Sequence, residues 1–317
     1  MTRHLRVTIL ASFLIAAYFT AFSSAVFAQA RVVGSIAPLQ MIANAITDGV
    51  SEPAVLIPSS QSYHHFVLRP STVRVLNDAD LFIWVGPELE TYLSSSVSQL
   101  GRQKAVVQVL ALPSLIVHHA HDGEDDSEIL IPDDGLHAGH QHKHGTMIDP
   151  HVWLDTRNAV LIARAIAAEL VEIDSDYAPQ YRANLKRFED LLNQLNSEIA
   201  DTLRMPDQMQ YAVYHNAFQY FERQFGLDHD LVFVASEEMQ PGVRHMLTVR
   251  RAIEARPLSC LMEDVTTQDG TVQTLLGGNE LQRVKADTLG QNLSSGPMAY
   301  IYLIDNLAGA FRQCLGQ

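Results

Sequence analysis

The chain has 317 residues, and its 22 Lys and Arg against 36 Asp and Glu give a formal net charge of -14. That balance argues against nucleic acid as a partner, because phosphate binding needs a basic face, and it is compatible with attracting cations. The apolar content of 47% supports a real core, and beyond the N-terminus no segment is long and apolar enough to cross a membrane.

The first elements along the chain read as an export signal. Arg3 and Arg6 precede an apolar stretch from Val7 to about Phe22, and small residues follow. Ala28-Gln29-Ala30 and Val26-Phe27-Ala28 both fit the small-x-small rule, so cleavage after Ala28 or Ala30 is expected, with residues 1–30 as the signal peptide. An apolar stretch of ~16 residues is short for a membrane anchor. No cysteine stands at the cleavage point, so the mature protein is expected to be soluble and free of lipid.

Short β-branched runs then recur, each followed by a helical pattern. They are Arg31–Ser35, Ala54–Pro58, Leu81–Val85 and Val106–Leu110, then Tyr211–Tyr214, Leu231–Val234, Cys260–Glu263 and Val284–Asp287. Continuous apolar runs alternating with helices predict buried parallel strands and an α/β fold. Two stretches break the pattern. From residue 118 to 145 the chain is acidic, histidine-rich and without periodicity, which predicts a disordered insertion. From Tyr177 to Leu203 the residues Tyr181, Leu185, Phe188, Leu192, Leu195, Ile199 and Leu203 form one apolar stripe at helical spacing. A helix of ~27 residues reaches ~40 Å, enough to join two lobes. The expected organisation is an N-terminal lobe over 31–175, a linking helix over 176–205 and a C-terminal lobe over 206–317.

Cys260 and Cys314 are the chain's two cysteines. In an exported protein an isolated pair reads as one disulfide. A cysteine metal site is the sharper alternative, but the pair lacks the close spacing of zinc-cysteine motifs.

The 14 histidines fall into classes. His4 leaves with the signal. His118, His119, His121, His137, His140, His142 and His144 lie in the insertion beside Asp122, Glu124, Asp125, Asp126, Asp133 and Asp134. Imidazoles and carboxylates on a flexible chain bind borderline metals weakly and in several geometries. His64, His65, His151 and His215 instead sit where strands end and helices begin, as does Asp287 at a strand end. Ligands of open α/β sheets gather outside the carboxyl ends of strands. Asp155 is placed to cap the helix that carries Val160, Leu161, Ile166 and Leu170.

In order, the chain carries HHFVLRPS at His64–Ser71, ADLFIWVGPELE at Ala79–Glu90, the acidic histidine-rich loop, and DPHVWLD at Asp149–Asp155. YHNAFQYFERQFGL at Tyr214–Leu227, EMQPG at Glu238–Gly242 and the late cysteine pair follow. This succession resembles the substrate-binding proteins of bacterial zinc ABC importers, the ZnuA type within the wider zinc/manganese cluster A-I group, over about Val32 to Cys314. The resemblance implies two lobes with parallel sheets joined by one long helix, and a single tight Zn²⁺ in the cleft between them. It places the ligands at His64, His151 and His215, with Asp287 completing the site directly or through water. Glu237 and Glu238 read as turn and supporting residues. His65 holds a position usually acidic in the family, and Tyr63 one where proline is common.

The implied role is capture of Zn²⁺ in the periplasm by a monomer and delivery to a membrane permease with its cytoplasmic ATPase, without catalysis. Three imidazoles suit tetrahedral Zn²⁺, whereas Mn²⁺ favours more oxygen ligands; manganese-binding relatives have an acidic residue where His215 stands. Another divalent metal of the same family is the alternative cargo. A zinc hydrolase also uses three histidines and an open position, but no HExxH helix is present. An extracellular adhesin, a role found in the wider group, is disfavoured by the free N-terminus. Little lobe rotation is expected, and the His151 loop is expected to order on metal binding.

Overall fold

The architecture comes from a computed structural model that describes residues 29–63, 66–100, 104–119, 148–206, 209–234 and 241–317. The expected signal peptide therefore lies, except for Gln29 and Ala30, outside the described residues.

All eight expected strands are present, in two four-stranded sheets. The first comprises β1 (Val32–Gly34), β2 (Ala54–Val55), β3 (Leu81–Trp84) and β4 (Ala105–Gln108), ordered β2-β1-β3-β4 and parallel throughout. The second comprises β5 (Gln210–Val213), β6 (Leu231–Val232), β7 (Leu258–Asp264) and β8 (Gln282–Ala286), ordered β6-β5-β7-β8 and again all parallel. Leu81, Phe82, Ile83 and Trp84 are all buried, as a strand covered on both faces requires. Because each sheet repeats the same order, each has one place where successive crossovers leave in opposite directions. That switch point lies between β1 and β3 in the first sheet and between β5 and β7 in the second. Crevices for ligands open there, at the strand carboxyl ends.

The helices of the first half are α1 (Ala37–Thr47), α2 (Pro70–Asp78) and α3 (Ser94–Leu100). α4 (Thr156–Ile173) follows the insertion, and α5 (Ala178–Thr202) is the linking helix. The second half adds α6 (Gln219–Phe225), α7 (Val243–Ala255), α8 (Asp269–Leu276) and α9 (Ala299–Cys314). Gly34 brings β1 close to α1, since a Cβ there would stand 2.7 Å from the Gln40 backbone nitrogen.

The 25 residues of α5 span about 38 Å. Tyr181, Phe188, Leu192, Leu195 and Ile199 of the expected stripe are buried, with Leu185 at the margin. The helix is no bare strut. It packs on α1 and α4, and α9 returns from the second sheet to lie against both α1 and α5. One continuous core therefore runs through both halves, including Ile42, Phe188, Leu303 and Phe311. A smaller core of Tyr214, Phe233, Val249, Leu261 and Leu275 sits on the second half alone. A shared core resists separate rigid-body motion of the halves.

Cys260 in β7 and Cys314 at the end of α9 form a disulfide, with their Cα atoms 5.6 Å apart. The bond holds the last helix to the second sheet.

Candidate metal centre

The segment 148–156 carries the first histidine of the site, and it is tied on several sides. Its start pairs with the beginning of the insertion: His119 and Ile148 form an antiparallel bridge, and the Asp149 N–H donates to the His118 carbonyl at 2.9 Å. The expected disordered region thus starts too early at residue 118, because backbone pairing with Ile148 and Asp149 holds His118 and His119. The Tyr220 hydroxyl, from α6, donates to the Asp149 carbonyl at 2.7 Å and accepts from the His118 N–H at 3.0 Å.

Two residues on, Asp149 Oδ1 accepts both from the His151 backbone N–H at 3.0 Å and from its ring Nδ1 at 2.7 Å. Asp149 and His151 are 4% and 5% exposed. A carboxylate acceptor at Nδ1 places the ring proton there and leaves the lone pair on Nε2. A single 3-10 turn, Val152–Leu154, follows and is wholly buried. The Trp153 indole N–H donates to the Thr288 carbonyl at 3.0 Å, and Tyr300 in α9 donates to the Trp153 carbonyl at 2.5 Å. Asp155 then caps α4 as expected, accepting from the Arg157 N–H at 2.8 Å. Gln224 of α6 bonds the Thr156 N–H and hydroxyl at 2.9 and 2.6 Å. The segment is thus held by partners from α6, α9 and the loop after β8.

The second histidine, His215, stands two residues past β5, at the switch point of the second sheet. It is 5% exposed, and its ring centre lies 5.8 Å from that of His151. Two imidazoles sharing one tetrahedral zinc stand roughly 5–6 Å apart, given Zn–N bonds of about 2 Å. His151 precedes α4 in the first half and His215 follows β5 in the second, so the pair bridges the halves.

Tyr63 completes the described surroundings. It is 5% exposed, its hydroxyl lies 3.2 Å from His151 Nε2, and its ring meets Trp153 edge-on. Its carbonyl accepts from the Tyr92 hydroxyl at 2.7 Å.

Of the other expected ligands, His64 follows Tyr63 directly but lies outside the described residues, as do His65, Glu237 and Glu238. So do His121, His137, His140, His142 and His144 of the insertion. Asp287 directly follows β8 and directs its oxygens at its own loop, accepting from the Leu289 N–H at 3.1 Å and the Asn292 N–H at 3.3 Å. Among the described residues, no three His, Cys, Asp or Glu side chains converge on one point.

Two carboxylates occupy the switch points without having been singled out from sequence. Asp264, at the end of β7, accepts from Thr266 and Thr288 hydroxyls at 2.7 and 2.5 Å, next to the backbone that receives the Trp153 indole. Glu90 reaches back to the end of β3 and accepts from the Val85 and Gly86 N–H groups at 2.9 and 3.3 Å. Burial pushes the Glu90 carboxyl up to about 7, against the opposing hydrogen bonds from the Val85 and Gly86 N–H groups. Asp149 and Glu90 stand inside the DPHVWLD and ADLFIWVGPELE motifs without a role having been read for either, and Asp264 had no local signal.

Comparison with known proteins follows the same outline. Residues 32–314 match the family ZnuA, described as zinc-uptake complex component A, periplasmic. The high-affinity zinc uptake system protein ZnuA of Yersinia pestis is 32% identical over 299 residues, which cover 91% of this chain and 92% of the relative. Its counterpart in Brucella suis is 30% identical, with 96% and 98% covered. A crystal structure of ZnuA superposes with a TM-score of 0.72 at 18% identity, covering 91% of this chain and 99% of that one.

Proposed function

We propose that this chain, which belongs to the ZnuA family of periplasmic zinc-uptake components, captures one Zn²⁺ between its two halves and hands it to an ABC-type import permease. The observation that carries the proposal is the buried His151–His215 pair, 5.8 Å apart and contributed by different halves. Asp149 occupies His151 Nδ1 and so leaves the ring lone pair on Nε2 for the ion. His64 is the third ligand in this proposal, and Asp287 or water completes a tetrahedron. Neutral imidazoles select a borderline ion such as Zn²⁺ over Mn²⁺, which prefers more oxygen. The ion is cargo, so the protein binds and releases without catalysing a reaction.

The remaining parts of the proposal follow from that role. Residues 1–30 direct export and are removed, and the mature monomer works in the periplasm. The permease, powered by its cytoplasmic ATPase, opens the site on docking. The insertion's histidines add weak zinc sites outside the tight one.

Zinc titration against a competing chelator tests the proposal. His64→Ala, His151→Ala and His215→Ala should each weaken the tight site by at least about tenfold, since each leaves the ion short of tetrahedral closure. His65→Ala should have much less effect. Near-native affinity in all three alanine variants, or manganese outcompeting zinc, would overturn it.

A further inference from the structure

Tyr63 is placed to compete with the ion for His151. With Nδ1 hydrogen-bonded to Asp149 at 2.7 Å, the neutral imidazole has one lone pair, on Nε2, and the Tyr63 hydroxyl stands 3.2 Å from it. A phenol in that position donates its proton to Nε2. One lone pair cannot accept that hydrogen bond and bind Zn²⁺ together. We infer that Tyr63 is an affinity-setting residue of the site, whose hydroxyl holds His151 Nε2 in the metal-free protein and must be displaced when the ion binds. This inference rests on the zinc-binding reading above.

Placement and packing support an element that can give way on the Tyr63 side and not on the His151 side. The His151 segment is held by Tyr220, Thr288, Tyr300 and Gln224. Between Ile57 and Leu76, by contrast, Tyr63 is the one buried residue among those described. It is an anchor set into an otherwise exposed or half-exposed stretch, with Val67 78% exposed. Its ring meets Trp153 and His151 edge-on, contacts that a phenylalanine would keep.

The test is Tyr63→Phe, with Zn²⁺ as the probe. Losing a hydrogen bond present only in the metal-free state should tighten zinc binding about two- to tenfold. Stopped-flow mixing should show the gain in the association rate, whereas a loosened structure would raise the dissociation rate. Unchanged affinity means the hydroxyl does not compete, and weaker binding means it ligates the ion; either overturns the inference. Wild-type protein in the same titration separates the two readings: absence of a tight site there sinks the zinc proposal, while a tight wild-type site unaltered in Tyr63→Phe sinks this one alone. If the variant does not fold, nitrogen NMR of the metal-free wild type serves. The Nδ1–H tautomer of His151 is expected, and an Nε2–H tautomer would overturn the assignment.

Discussion

Replacing Glu90 by Gln should stabilise the protein above neutral pH and leave it nearly unchanged in mild acid. Glu90 is wholly buried at the carboxyl end of β3, and burial lifts its carboxyl from the usual 4.5 to about 7. The folded state therefore keeps a proton that the unfolded chain releases between those values. Wherever the folded state binds more protons, stability falls as pH rises, so the loss accrues from about 4.5 to about 7 and levels off above. At about 1.4 kcal/mol per pH unit the full loss is ~3 kcal/mol. Gln has the shape of the protonated acid and can still accept from the Val85 and Gly86 N–H groups. From about pH 5 to about pH 8 the variant should thus gain ~2–3 kcal/mol on the wild type. For a chain of this length that is roughly 3–5 °C in melting temperature. The melts belong in metal-free buffer with chelator, because bound zinc would add its own stabilisation. The comparison of interest is the gap between the two proteins at each pH, which cancels the titration of every other group. A gap that does not change with pH would refute the reasoning, since it would mean that Glu90 folds as an ordinary carboxylate.

Three further outcomes are expected. Asp149→Asn should weaken zinc binding about tenfold and Asp149→Ala up to about a hundredfold, as loss of a carboxylate behind a ligating imidazole does elsewhere; calorimetry on the folded variants checks this, and an unaffected Asp149→Ala would mean that His151 needs no such support. Replacing Cys260 and Cys314 together by Ser frees a loop closed across 54 residues and should cost ~4 kcal/mol in urea unfolding, mainly by releasing the unfolded chain; zinc affinity should change little, since neither cysteine adjoins the paired histidines. Deleting residues 120–146 should remove weak zinc sites and keep the tight one, because loop closure depends only slowly on length, whereas a deletion starting at His118 should also disturb Asp149, whose N–H the His118 carbonyl accepts; titration of both forms separates the cases.

Much of the architecture was legible because it rests on local rules. The eight β-branched runs became eight strands, and the stripe from Tyr181 to Leu203 became the linking helix, since apolar periodicity reports which face must leave water. Asp155 was recognisable as a cap, and the two cysteines as a pair, from chemistry that operates within a few residues or by count alone. His215 stood out at the end of a strand and His151 just before a helix, and the ordered run of motifs marked both as expected ligands.

What the sequence by itself determined, then, was each element and the residues at its ends; the tertiary structure alone decided which ends meet. The crossing order β6-β5-β7-β8 puts His215 at a switch point, and no local pattern encodes the order of strands in a sheet. The return of α9 onto α5, and onto α1 more than two hundred positions away, fuses two expected lobes into one core. Tyr63 reads in sequence as an ordinary loop aromatic, and only the packing of a distant segment brings His151 Nε2 to its hydroxyl. Glu90 likewise looks like a surface acid in a turn until α/β packing closes over it. Burial and hydrogen-bond partnership depend on what folds against a residue, and for these residues those partners come from elsewhere in the chain.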